Sequence, residues 1–225
     1  MTSLNADNGD ITYEVTSPVP GMQLENVAIH ASDRDIHGML KSRGKEKNVV
    51  LWAGSIFKNS EQQRTSPIAL AVSDRIVSSG ISSMLLSYSD YPAQGNDLSR
   101  CIQDTKYCLE FLRHIGYERI IIVGHSFSGA VAISAGQNND SIIGVITLAS
   151  QTLGAQTVSH VSPRPILIIH GLDDQTLGPH CGEQIYSWAS HPKELVLIEG
   201  ATHRLWDRRD ILEPLLVDWI TEKMD

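Results

Sequence analysis

A chain of 225 residues, 41% hydrophobic, carries enough apolar material for one sizeable core and too little for two. With 26 acidic against 18 basic residues its net charge is −8, which argues against nucleic acid or an anionic membrane as the main partner. No basic, apolar leader opens the sequence and no apolar run approaches the ~20 residues that span a bilayer, so neither a secretory signal nor a membrane anchor is expected.

The segment 1–24 is polar, with Pro18 and Pro20, and is expected to be a mobile arm or an edge extension of a single domain spanning 25–225. "ENVAIHA" and "IHGMLKS" flank a turn-like "SDRD" and predict a two-stranded hairpin. "NVVLWAG" is a buried strand ending in glycine. Ser66-Pro67 opens a helix, because serine caps free N–H groups and proline at the first helical position sacrifices no bond. Gly80 suits the left-handed position after that helix. "SSMLLSY" is the next strand, and Leu98, Cys101, Ile102, Thr105, Cys108, Leu109, Leu112 and Ile115 follow at helical spacing up to Gly116.

"IIIV", "IIGVITLA", "PILIIH" and "ELVLIE" are further short apolar strands. The last helix, about Asp210 to Lys223, is expected to bury Leu212, Leu215, Leu216 and Trp219, with Pro214 tolerated near its start. Apolar strands alternating with amphipathic helices predict an α/β domain: a mostly parallel central sheet of about eight strands with helices on both faces.

Cys101 and Cys108 stand seven apart on a predicted helix, about 10.5 Å along its axis, too far for a disulfide. All three cysteines are expected as thiols in a reducing cytosol, Cys181 among them at the surface, which places the protein in the cytoplasm. There is no CxxC or HxxxH spacing, and "HCGE" at 180–183 is too little for a metal site.

The decisive stretch is Arg119 to Gly136, "RIIIVGHSFSGAVAISAG", where a buried strand runs through glycine and serine into a helix. A phosphate cradle framed by Gly124 and Gly129 would need Lys and Ser/Thr next, but Ala130 and Val131 stand there. The dinucleotide pattern fails as well, with Ser126 at the second glycine. A nucleophile on a tight strand-to-helix turn accounts for the whole stretch. The strained serine, Ser126, needs tiny neighbours, and Gly124, Ser128 and Gly129 supply them.

A serine hydroxyl needs a base, and the base needs an acceptor that holds its tautomer. Downstream, "PILIIHGLDDQTLG" is a strand followed by a loop carrying Asp173 and Asp174, and "ELVLIEGATHRLW" is a strand followed by a loop carrying His203. All these residues lie just beyond the C-terminal ends of strands, which gathers them on one rim of a parallel sheet.

In Gly124-His125-Ser126-Phe127-Ser128-Gly129, His170-Gly171-Leu172-Asp173-Asp174 and Gly200-Ala201-Thr202-His203, over about Glu25 to the C-terminus, the chain resembles the α/β-hydrolase family. The resemblance implies Ser126 as nucleophile, Asp174 as acid and His203 as base, with the backbone N–H groups of Phe127 and Ser55 as oxyanion hole. It also implies that neither cofactor nor metal is needed. Two departures stand out: Ala53 precedes Gly54 where histidine is frequent, and Ser128 replaces a commoner glycine.

Many members insert a helical cap before the acid strand, but "SQTLGAQTVSHVSPR" leaves no room for one. Ile56, Phe57, Tyr91, Leu153, Leu172, Leu177 and Trp206 lie in or near the rim loops and are candidate pocket residues, each as well explained by plain packing. His125 is read as structural, its side chain turned away from the nucleophile's, and His170 as packed or hydrogen-bonded. Asp173 is read as a turn former, and Trp52, Trp188 and Trp219 as packing. The expected activity is hydrolysis of a carboxylic ester or thioester on a small-molecule or carrier-bound acyl substrate. Acyl transfer by the same residues is the nearest alternative, and a non-catalytic receptor on the same fold the other.

Overall fold

Strands covered on both faces show unbroken apolar runs, and this chain has six of them. The computed structural model describes residues 2–6, 9–16, 24–44, 46–58, 63–88 and 97–225. Its strands are β1 (Thr2–Ala6), β2 (Gly9–Thr16), β3 (Leu24–Ala31), β4 (Arg34–Lys41), β5 (Asn48–Ala53), β6 (Ile56–Lys58), β7 (Gln63–Thr65), β8 (Ser82–Ser87), β9 (Arg119–His125), β10 (Ile142–Leu148), β11 (Ile166–Gly171) and β12 (Lys193–Ile198). Its α-helices are α1 (Pro67–Ser78), α2 (Leu98–His114), α3 (Phe127–Ala135), α4 (His180–Trp188) and α5 (Arg209–Met224).

Among the described residues ten strands form one sheet in the order β1-β2-β3-β4-β8-β5-β9-β10-β11-β12. The pairings from β8 through β12 are all parallel, and those from β1 to β8 all antiparallel. β6 and β7 make a separate small hairpin between β5 and α1.

Along β9, Ile120 and Ile122 point into the core beneath α2, α3 and α4, while Ile121 and Val123 point into the core beneath α1 and α5. The period of two along a strand explains why one apolar run serves both layers. The helix ends follow local chemistry. Ser66 accepts from the Ala69 N–H at the start of α1, and Gly80 and Gly116 take φ of +83° and +105° after α1 and α2. Pro214 lies inside α5, near its N-terminal end, where its missing N–H removes one helical bond.

Two expectations change, and one element is new. The sheet has ten strands in place of about eight, because the polar N-terminal segment adds β1 and β2 at its edge. An edge pair needs only a few buried side chains to dock; here Ile11 is buried and Tyr13 packs edge-on against Phe111 at 4.9 Å. The β6–β7 hairpin carries too little hydrophobic alternation to be read from sequence. Cys181 is buried, not at the surface: it lies four residues before Ile185 on the face of α4 turned to the sheet.

Cys101, Cys108 and Cys181 are all free thiols. Leu215 is half-buried, in contact with the core through the same α5 face as Leu212, Leu216 and Trp219. Between β10 and β11 the chain forms only a short 3-10 turn, Val158–Val161, so no cap domain is inserted there. Among the described residues no helix is long and apolar enough to cross a membrane.

Candidate active site

β9 delivers Ser126 to the rim and α3 begins at the next residue, so the chain must reverse within one residue. Ser126 does so at φ 56°, ψ −121°, a conformation L-residues avoid and which costs on the order of 1–3 kcal/mol. Its N–H is held by the Leu148 carbonyl of β10 at 2.8 Å. Small neighbours are a steric requirement of this turn. A Cβ on Gly124 would stand 1.9 Å from the Ser128 carbonyl oxygen, and one on Gly129 2.3 Å from Ser150 Oγ. Ser128, buried, takes the room that a Cβ on Gly54 would need, 2.5 Å from its Oγ.

Asp174 follows β11 on a turn in which its N–H meets the Gly171 carbonyl at 3.3 Å. Gly171 is needed because the Ala201 carbonyl of the next loop passes where a Cβ would be, at 2.2 Å. Asp173 N–H donates to that carbonyl at 3.0 Å, joining the two loops. The second loop follows β12 through Gly200 at φ +73° and is pinned by the N–H and hydroxyl of Thr202 on the Asp207 carboxylate.

These loops bring together three side chains far apart in sequence. His203 Nε2 lies 3.0 Å from Ser126 Oγ, and His203 Nδ1 lies 2.8 Å from Asp174 Oδ2. Asp174 is buried, and its Oδ1 accepts the N–H groups of Thr176 at 2.8 Å and Leu177 at 2.9 Å. Burial pushes this carboxyl up, but the bonds from Leu177, His203 and Thr176 outweigh it and hold it below the usual carboxylate range. Asp173 is exposed.

His125 has a definite partner: its Nε2 donates to the main-chain carbonyl of His203 at 2.8 Å, and the two rings lie 5.0 Å apart. Burial draws its pKa down, against the opposing effect of that hydrogen bond. His170 is fully buried beside Asp174. Trp52 and Trp219 are buried and Trp188 is partly buried against the core.

The candidate pocket residues scatter. Ile56 is buried in the core beneath α1 and α5, so it is packing and not a wall. The Phe57 side chain and Tyr91 lie outside the described residues. Leu153 is 72% exposed and Leu172 44%, so both are rim residues. Leu172 lines an open groove with Asp174, Thr202, His203 and Arg204. Leu177 is half-buried and acts through its backbone on Asp174.

Trp206 lines a mostly apolar cavity of about 410 Å³ shared with Trp52, Ser55, Ile68, Leu148 and His125, with Arg204 at its side. Sequence reasoning missed Trp52, Ile68 and Leu148 as cavity walls. An apolar wall and a packed core have the same composition, so no sequence signal separates them. Among the described residues no group of three or more His, Cys, Asp or Glu could hold a metal ion.

A mostly parallel sheet whose rim carries a strained serine, a buried aspartate and a histidine in this chain order is an α/β-hydrolase fold, here without a cap domain. Solved structures agree on the fold. Est1E from Butyrivibrio proteoclasticus superposes with a TM-score of 0.74 at 14% identity, covering 88% of this chain and 98% of that one. Dienelactone hydrolase from Anabaena variabilis gives 0.75 at 17%, covering 89% and 98%. An acetyl xylan esterase from Paenibacillus sp. R4 gives 0.73 at 15%, covering 94% and 88%.

No family model matches the sequence. Among curated proteins it is similar to the uncharacterized protein YfhR of Escherichia coli O157:H7, 28% identical over 128 residues, 45% of each chain. With YfhR of strain K12 it is 27% identical over 153 residues, 55% of this chain and 54% of that one. These matches span about half the length of the curated relatives.

Proposed function

We propose that this protein is a cytoplasmic serine hydrolase that cleaves carboxylic esters or thioesters through an acyl-enzyme. The observation that carries the reading is the unbroken line Ser126 Oγ, His203 Nε2, His203 Nδ1, Asp174 Oδ2, with steps of 3.0 and 2.8 Å across the ring and the serine on a strained turn. In this mechanism His203 Nε2 accepts the Ser126 proton as Oγ attacks the acyl carbon. Asp174 holds the Nδ1–H and stabilises the imidazolium.

The tetrahedral oxyanion takes the backbone N–H of Phe127, at the first turn of α3, and that of Ser55 after β5. Collapse expels the alcohol or thiol, which leaves with the proton from Nε2. Water then repeats the sequence on the acyl-enzyme and releases the acid. The chemistry calls on no cofactor or metal.

One of the structural neighbours is named an acetyl xylan esterase, and the apolar cavity touching Ser55 offers room for an apolar acyl group. An engineered apolar cavity of about 150 Å³ takes benzene. At about 410 Å³ this one suits a medium-length or aromatic acyl chain on a small-molecule or carrier-bound substrate.

Labelling with a fluorophosphonate is the direct test. One label should attach at Ser126, and Ser126→Ala should abolish it while the protein remains folded. Absence of labelling in the folded wild type, or its survival in the variant, sinks the proposal.

A further inference from the structure

His170 stands near the end of β11, fully buried, and no step of the proposed chemistry uses it. Its Nε2–H donates to the Leu177 carbonyl at 2.7 Å, which places the ring proton on Nε2. The same nitrogen lies 3.2 Å from Asp174 Oδ2, the oxygen that receives His203 Nδ1–H. Leu177 closes the circuit, because its own N–H donates to the other carboxylate oxygen, Oδ1, at 2.9 Å. The loop residue that holds the acid is therefore itself held by His170, whose Nε2 also stands close to the acid's working oxygen.

The other ring nitrogen, Nδ1, is buried and has no hydrogen-bond partner among the described residues. It faces Gly182 of α4, where a Cβ would stand 3.0 Å from it. A bare buried nitrogen destabilises a fold, and an apolar side chain would fill the site without that cost. Packing alone gives no reason for an imidazole here.

We propose that His170 is a positioning residue for Asp174. It aims Oδ2 at His203 by fixing the loop 174–177 and never touches substrate. This rests on the reading of Asp174 as the acid. His125 bonds a different part of the site, the His203 main-chain carbonyl.

The test compares His170→Phe, which keeps a planar ring and deletes the donor, with His170→Gln, whose amide N–H returns near the ε position. With p-nitrophenyl acetate, kcat of the folded Phe variant should fall about 10- to 100-fold with KM within about twofold, as expected of a small misplacement of a catalytic group. The Gln variant should recover most of the loss. A packing role predicts the reverse order, since Phe suits an apolar site better than Gln. Wild-type kcat in the Phe variant, or Gln no better than Phe, overturns the proposal.

Two readouts need no turnover. The low-field proton resonance of His203 Nδ1–H should move in the Phe variant and return in the Gln variant. Should Phe fail to fold, 15N shifts of His170 in the wild type decide: the Nε2–H tautomer is expected, and an Nδ1–H tautomer overturns the proposal. If the wild type cleaves no ester, the serine hydrolase reading fails by itself and these two measurements still judge His170.

Discussion

Asp173 and Asp174 are adjacent on one loop, yet Asp174 is buried on His203 while Asp173 is exposed with its backbone tied to Ala201. Under the proposed mechanism, Asp174→Asn leaves His203 without its anchor, and kcat should fall on the order of 10⁴-fold. Asp173→Asn should keep kcat within about tenfold, or ~1.4 kcal/mol of barrier. Steady-state kinetics on folded variants that ranked them the other way would move the acid to Asp173.

His125 makes a separate prediction in stability. Its folded pKa lies below the ordinary value of 6.5, mainly through burial. The unfolded chain therefore binds more protons than the folded one in the window just below pH 6.5, and the contribution is lost as pH falls through the folded value. His203 and His170 face this ring and lower its pKa further, while Asp174 opposes them. The pH dependence of thermal melting just below pH 6.5 should be flatter in His125→Gln than in the wild type. A slope as steep as the wild type's in the variant would assign that dependence to another group.

The elements around the rim do two jobs at once. β5, α1 and the loop after β12 close the core on the α1 and α5 side and also wall the apolar cavity beside Ser55. Ile68, buried in the first turn of α1, lines it. Filling the cavity with Ile68→Trp should leave cleavage of p-nitrophenyl acetate nearly unchanged and lower kcat/KM for the octanoate at least about tenfold, the discrimination a crowded apolar pocket can give. An unchanged acetate-to-octanoate ratio would send the acyl chain elsewhere. The elbow shows the same economy, since the helix start that crowds Gly124 also supplies the Phe127 N–H proposed for the oxyanion.

For the molecule as a whole, the polar N-terminal segment is joined to the sheet. β2 pairs with β3, Ile11 is buried, and Tyr13 touches Phe111 of α2 on the side of the sheet away from α1 and α5. Truncating Ile11 to Ala should therefore lower unfolding free energy by about 2–5 kcal/mol, as for other buried isoleucines, while kcat stays at the wild-type value. Chemical denaturation with parallel assays would measure both. A variant as stable as the wild type would mean that these edge strands are dispensable. The Arg34 to Asp104 ion pair at 2.7 Å, with Asp104 buried, also ties the β3–β4 hairpin to α2.

Local chemistry made much of this readable in advance. Unbroken apolar runs marked the central strands, Ser66-Pro67 and Gly116 marked helix ends, and Gly124, Ser128 and Gly129 marked a turn that only small residues permit. The order of Ser126, the adjacent aspartates and His203 was visible because each follows its own strand, and parallel strands end on one rim. Several features depended on residues distant in sequence and could not be read that way. Ile11 finds its partners across the sheet, the Cys181 face of α4 is turned inward, and the walls Trp52, Ile68 and Leu148 have the composition of core. The couplings of His125 to the His203 carbonyl, and of His170 to Leu177 beside Asp174, likewise join loops that meet only when the sheet has formed. Periodicity and turn chemistry act between neighbours along the chain, whereas burial, cavities and hydrogen bonds between loops depend on which elements the folded sheet sets side by side.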